Sequence, residues 1–395
     1  MKSFGAFFTS FISLLAIGAN AQDNCPRLRA RPNVNKMSQD SWNRYVNAVR
    51  QLNSGSRPNK WDQLANMHVQ YYDQVHSHPL FLGWHRQFLY DLESALRQID
   101  ETVRLPYWDW SVNYSNINVD PVWGKYGKNG DNGNSDCVMQ GSFGGMGVAY
   151  GSGTLRNGEK CSTRRNQFDN VISGSKPELE GLIDSSNDHD FWENFEYGSH
   201  GRFHNGIGYD FAGHASPSDP LFYAHHAFID KIWFDRQNRH PEFTLTYPDV
   251  PLNTRLPGYN NVQIWQTLDP FSMCYTYIPD NFSWDNVRTS SVLPDVQVEQ
   301  FSPIQLSPSV SSTNVTKVNE IKDEHAKDFV FKNAVAPNLN NAPQQGSDGC
   351  EIYPIPAPVS SEYIAHMGYS EPKVREIERK NALQLTELNK RCMAA

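Results

Sequence analysis

The sequence has no Cys-x-x-Cys pair, no Gly-x-Ser-x-Gly, no His-Glu-x-x-His and no Gly-x-x-x-x-Gly-Lys. Those absences leave zinc ribbons, thioredoxin-like centres, serine-hydrolase elbows, zinc proteases and P-loop nucleotide sites without support. Positive charge is also short. Thirty-five Lys and Arg face 43 Asp and Glu, for a net charge of -8 and a pI near 5.9. That balance argues against nucleic acid as a partner. No unit repeats at a fixed period. Long apolar runs are missing beyond the N-terminus, where Phe4–Gly18 follows Met-Lys and precedes Ala19-Asn-Ala21. The run is shorter than the roughly 20 residues of a membrane span. One basic residue, a short apolar core and an Ala-x-Ala end read as a secretory signal peptide over residues 1–21. Cleavage after Ala21, secretion to the extracellular space and no membrane partner are the expectations.

Aromatic residues are plentiful, with 10 Trp, 18 Tyr and 21 Phe, and suit a packed globular chain. The six cysteines are Cys25, Cys137, Cys161, Cys274, Cys350 and Cys392. An even number in a chain expected to be secreted points to disulfides, and six allow fifteen connectivities. Sequence alone does not choose among them; the preferred pairing is Cys25–Cys274, Cys137–Cys161 and Cys350–Cys392. Asn113, Asn281 and Asn314 head glycosylation sequons.

The apolar spacing predicts mainly helices. One follows the cap Ser38-Gln-Asp-Ser41, a second runs from Trp61 to about Gln74, and a third from about Trp84 to Ile99. Residues 111–165, rich in Gly, Asn and Ser, read as a long surface loop tied by Cys137–Cys161. Further helices are expected at 176–184, 188–206 and from Asp219 through Trp233, and Cys274–Tyr277 reads as extended. The composition shifts after Asp285. The chain therefore divides into a helical domain over 22–285 and a C-terminal extension over 286–395, with a linker at 335–348, a last helix from Ser370 and no structure assigned to the rest.

Histidine carries the chemistry. His200 and His204 are four apart and share a helix face. Phe222-Tyr-Ala-His-His226 has the layout of Phe81-Leu-Gly-Trp-His85: Phe, three residues, His. Each pattern has two histidines upstream, His200 and His204 in one case, His68 and His76 in the other. His76 and His85 would face opposite ways on one continuous helix, so the chain must bend near Pro79 and Gly83 to bring them together. Two three-imidazole sites without thiolate or carboxylate suit a pair of borderline redox cations, copper above all. Neighbours on a helix point about 100° apart, so only one of His225 and His226 can face the metal, and the Phe-x-x-x-His match selects His226. His78, His189, His214, His240, His325 and His366 fall outside this layout.

Taken together, Phe81-Leu-Gly-Trp-His-Arg86, Pro106-Tyr-Trp-Asp-Trp110, Asp219-Pro-Leu-Phe-Tyr-Ala-His-His226 with Asp230, and Tyr275-Thr-Tyr277 resemble the type-3 dicopper family of tyrosinases, catechol oxidases and haemocyanins. The likeness spans about residues 25–280, and the His68–His76 spacing is similar to that of short secreted fungal polyphenol oxidases. The resemblance implies a helical-bundle dicopper core with long loops. It implies two copper ions, one on His68, His76 and His85 and the other on His200, His204 and His226. O2 is the implied co-substrate and small phenols are the partners. Glu196 resembles a glutamate that holds a water near the phenol, and Asn205 stands in part for a missing Asn.

Three departures bear on activity. Gln74 replaces the cysteine that in many members is linked to the second histidine. Gly83 replaces the usual Pro, and Gly201 stands where strong monophenol hydroxylases often have Asn. The implied gate position is Gly213, which leaves the entrance open to bulky phenols. The resemblance therefore implies oxidation of o-diphenols or o-aminophenols to quinoid products, with monophenol hydroxylation close behind. The rival reading is a haemocyanin-like reversible oxygen carrier. For residues 286–395 two expectations stand: an extension that covers the site, as in related enzymes, or one that packs on the core. The sequence assigns no oligomeric state.

Overall fold

A computed structural model describes residues 29–278, apart from 132–135, 167–173, 241–242, 244–245 and 271, together with scattered residues between 344 and 386. The signal-peptide reading, Cys25, Cys350, Cys392, His325, His366 and the sequons at Asn281 and Asn314 lie outside the described residues.

Helix α1 (Gln39–Leu52) starts where the Ser38 hydroxyl accepts from the Ser41 N–H, 3.2 Å away. Helix α2 (Lys60–Val75) starts with a reciprocal capping box between Asn59 and Asp62. Helix α3 (Phe81–Ile99) begins three residues before the expected Trp84, because the Trp84 N–H already donates to Leu80 O. The bend between α2 and α3 lies at 76–80, with Ser77 in the left-handed region at φ 52°.

The expected helix over 188–206 is broken. Helix α4 (Val122–Tyr126) and helix α5 (Lys176–Ile183) precede it, then come α6 (Asp188–Phe195), a π turn (Glu196–His200) and α7 (Gly201–Ile207). Gly198, at ψ -114°, is the non-helical residue of the turn. Widened turns of this kind recur at functional sites.

Helix α8 (Pro220–Arg239) is capped by Asp219, whose side chain accepts from the Leu221 N–H. Every residue from Pro220 to Phe234 is buried, so α8 is a central helix with no solvent-facing side along that stretch. The 111–165 segment reaches the same core. That segment is no mere surface loop: Ile117, Tyr126 and Phe143 join the main core. Arg164, fully buried, forms a paired contact with both carboxylate oxygens of Asp219 and so ties the loop to the start of α8. The Cys137–Cys161 disulfide is present, and Cys274 is also disulfide-bonded.

Strand β1 (Arg29–Arg31) pairs in parallel with Tyr275–Tyr277, register Arg29 to Tyr275. Beyond residue 278, Gln344–Gln345, inside the expected linker, pairs with Glu351–Ile352 just after it, and the described residues between 371 and 386 are helical. No helix among the described residues is long and apolar enough to cross a membrane.

Between α3 and α8 sits a buried charge cluster. The Asp230 carboxylate accepts from Arg86 Nε at 2.5 Å, Arg31 Nη1 at 3.1 Å, Tyr275 Oη at 2.7 Å and Tyr277 Oη at 2.5 Å. Arg31 also donates to Glu93 through Nε and Nη2. Burial acts to raise the Asp230 carboxyl pKa, and the Arg86 and Arg31 guanidiniums overcome it and hold it below the usual range. Arg86 follows His85 and Asp230 lies one turn beyond His226, so the cluster fixes both helices beside the histidines.

Candidate metal centre

The fold brings the six predicted histidines together in two groups. His68 lies on α2, His76 at its C-cap and His85 on α3. His200 closes the π turn, His204 lies on α7 and His226 on α8. Within each group the ligand-type atoms lie within 4.8 Å of one another, and all six side chains are buried. The groups face each other: the His85 and His226 rings stack at 4.4 Å, and the His76 and His200 rings lie 6.2 Å apart.

Five of the six rings are fixed by backbone carbonyls. Nδ1–H of His76 donates to Tyr72 O at 3.2 Å, that of His85 to Phe81 O at 2.8 Å and that of His200 to Glu196 O at 3.1 Å. Those of His68 and His204 donate to His214 O and Phe211 O, both at 2.6 Å. A carbonyl only accepts, so Nδ1 carries the proton and each Nε2 presents a lone pair. Among the described residues, Nε2 of His68, His85 and His200 is buried with no hydrogen-bond partner, and Nε2 of His204 lies 3.1 Å from Nε2 of His226. Burial pushes all six imidazoles down in pKa, His85 to about 3 and His204 to about 4, so they are neutral. Converging neutral lone pairs with nothing to accept from are what a bound cation requires. The donor sets fit two copper ions.

His225 comes closer than its helical angle suggests. Its ring lies 5.5 Å from His200 and 4.9 Å from His204. The Trp110 indole N–H donates to its Nδ1 at 3.2 Å. Indole only donates, so the neutral His225 carries its proton on Nε2 and offers no lone pair to a metal.

Glu196 is fully buried. Its Oε1 accepts from the Ser77 N–H at 2.8 Å, while Oε2 is buried with no partner. Burial pushes its carboxyl well above the usual range, and the Ser77 contact offsets part of that. Gly201 is buried at the start of α7, and Asn205 is half-buried next to His204. No hydrogen bond joins Asn205 to Glu196 among the described residues. Gly213 is half-buried, and a Cβ there would meet only Asp210 O at 3.5 Å, an ordinary contact.

Gly83 has a local reason. Its N–H donates to Tyr247 Oη at 2.9 Å, and Tyr247 Oη donates to Pro79 O. A Cβ would meet Ile264 Cδ1 at 2.9 Å and Thr267 Oγ1 at 3.0 Å. Proline would lose the N–H and crowd the same atoms. Gly83→Pro is expected to destabilise the chain by roughly 1–3 kcal/mol, read as a lower denaturant midpoint at unchanged slope.

Residues 58–239 match the common central domain of tyrosinase. That domain belongs to the type-3 copper family of tyrosinases. A tyrosinase of Streptomyces glaucescens is 28% identical over 280 residues, 64% of this chain and 100% of that protein. The tyrosinase-like protein phomQ1' of Diaporthe leptostromiformis is 27% identical over 261 residues, 58% of this chain and 69% of that one. The polyphenol oxidase of Thermothelomyces thermophila has a similar fold, with TM-score 0.52 and 22% identity over 64% of this chain and 89% of that one. This tyrosinase-family chain is accordingly a copper oxidase with a two-copper centre.

Sequence reasoning missed Tyr72, Asp210, Phe211 and His214. Tyr72 lies four residues from both His68 and His76, a spacing that is visible in the sequence. Nothing in the sequence marks the carbonyls of Phe211 and His214.

Proposed function

We propose that the protein is a secreted polyphenol oxidase that turns o-diphenols into o-quinones with O2 and hydroxylates monophenols more weakly. The observation that carries this reading is the pair of facing imidazole clusters with their lone pairs turned inward. His68, His76 and His85 hold the first copper, and His200, His204 and His226 the second. When bound, the coppers supply O2 binding and two-electron exchange. Two o-diphenols and one O2 give two o-quinones and two waters, so the four protons leave with the product water.

The chain's own contribution is placement. The Nδ1 contacts hold five of the six rings so that Nε2 would face the metal. The buried rings of Phe81 and Phe222 keep water out of the gap between the clusters. Oε2 of Glu196 holds a water that takes the proton of a monophenol. Gly201 in place of an amide side chain leaves that water less firmly held, which favours diphenol oxidation. The room at Gly213 admits bulky phenols. The N-terminal signal pattern and the Cys137–Cys161 disulfide support secretion. Residues 286–395 are proposed as a separate extension that covers the site; cleavage near residue 340 then raises activity.

The test is oxygen uptake by the copper-loaded chain on a monophenol and on its matching catechol, with visible absorption followed in parallel. Quinone from catechol at once, and from the monophenol slowly after a lag, is the expected result. Reversible oxygen binding with neither phenol oxidised, before and after proteolysis, makes it an oxygen carrier instead. Glu196→Gln keeps an oxygen for the Ser77 N–H. It is expected to slow monophenol hydroxylation about tenfold or more while catechol oxidation falls by less than about threefold. Equal losses on both substrates, with copper lost too, make Glu196 a structural residue.

A further inference from the structure

Three of the five carbonyls that orient histidines lie four residues back along the ligand's own chain. The other two do not. Phe211 O takes the Nδ1–H of His204, and His214 O takes that of His68. Both carbonyls lie on one strap, residues 208–216, between α7 and α8. One short strap thus orients one histidine of each cluster.

The strap reaches the first cluster by a second route. The His214 ring stacks on Tyr72 at 3.7 Å and 18°. The Tyr72 ring stacks on His76 at 4.1 Å and 17°. Position 74, two before His76, is Gln and offers no sulfur to link to that imidazole. His76 is held by the stack and by its own contact with Tyr72 O.

The strap is itself anchored. The Asp210 carboxylate accepts from the Ser152 N–H at 3.0 and 3.2 Å and from the Thr163 N–H at 2.9 Å. Ser152 and Thr163 flank strands Gly153–Thr154 and Lys160–Cys161, which the Cys137–Cys161 disulfide ties to the neighbouring Cys137–Val138 strand. The stapled loop is therefore joined through Asp210 to a ligand-orienting contact in each cluster.

We propose that the 208–216 strap is a shared brace for the two coppers, with His214 a positioning residue for the first copper and Asp210 the anchor of the brace for both. This rests on the six histidines being the copper ligands. Outer partners of this kind fix ring rotation and raise the basicity of the ligating nitrogen, and losing one typically costs 10–100-fold in metal affinity.

The experiment follows copper leaving the fully loaded, full-length chain into a coloured chelator, with the amplitude counting ions per chain. The melting temperature of each metal-free variant is measured alongside. His214→Ala is expected to release one of the two ions about tenfold faster and leave the other unchanged. His214→Phe restores the flat ring and the slow release. Asp210→Ala speeds the release of both. The metal-free melting temperature of the His214 pair stays near that of the parent chain, which separates positioning from general stability.

Both ions leaving His214→Ala at the parent rate overturns the brace. So does His214→Phe behaving like His214→Ala, or Asp210→Ala releasing both at the parent rate. If Asp210→Ala fails to fold, the His214 pair decides alone. A parent chain that takes up no copper sinks the ligand assignment itself, an outcome distinct from two ions bound and released alike in every variant.

Discussion

Replacing His204 with Ala leaves one copper per chain instead of two and lowers oxygen uptake on catechol by at least about a thousandfold. The side chain is central to the second cluster: its ring lies 4.6 Å from His200, and its Nε2 lies 3.1 Å from that of His226. With three imidazoles the second metal has a closed side and an open side. With two imidazoles it would be held more weakly. A loss of about a thousandfold corresponds to roughly 4 kcal/mol of transition-state stabilisation, within what a metal supplies to a reaction that needs it. Copper analysis and an oxygen electrode on the same sample check it. Two coppers retained with full activity in the variant removes His204 from the site. Two coppers retained with no activity makes it a proton-handling residue instead.

The second large effect is on stability. Asp230→Ala is expected to destabilise the metal-free chain by about 3–5 kcal/mol, because it removes the carboxylate that the buried Arg86 meets and one of the two that the buried Arg31 meets. Arg31 and Arg86 are fully buried, each donates to Asp230, and Tyr275 and Tyr277 lose the same acceptor. Urea unfolding of metal-free protein isolates this from copper linkage. The comparison is Arg44, whose pairs with Asp40 and Asp100 are largely exposed; Arg44→Ala is expected to cost under about 1 kcal/mol. Equal midpoints for Asp230→Ala and Arg44→Ala show that the cluster between α3 and α8 does not hold them together. Asp230→Ala also weakens copper retention, since Arg86 adjoins His85 and Asp230 follows His226 by one helical turn.

Much of this chain is legible because its chemistry and its local signals coincide. Ser38 and Asp219 act as caps by short-range side-chain contacts, so the starts of α1 and α8 can be read from a few residues. His200 and His204 share a face by spacing alone. Boundaries that depend on the tertiary setting were read less well. Helix α3 starts at Phe81 because Leu80 and Trp84 can close its first turn over the Pro79 bend. The 188–206 stretch breaks at Gly198, where a widened turn aims Glu196 and His200. The strand Arg29–Arg31 has no apolar alternation to announce it. It exists because Tyr275–Tyr277 lies alongside and because Arg31 has Asp230 and Glu93 to meet.

By itself the sequence determined the helical class, the layout of the histidines in two sets and the chemical character of the metal they suit, because residue type and spacing along one helix are local properties. Only the tertiary structure decided the rest. It set the tautomer of five of the six imidazoles, the exclusion of His225 by Trp110, and the reach of a single strap to both clusters. It also decided the need for Gly83 beneath Tyr247. Each of these depends on a carbonyl, an indole or a hydroxyl brought from a distant part of the chain, and sequence spacing holds no record of which backbone atom will face which ring once the core has closed.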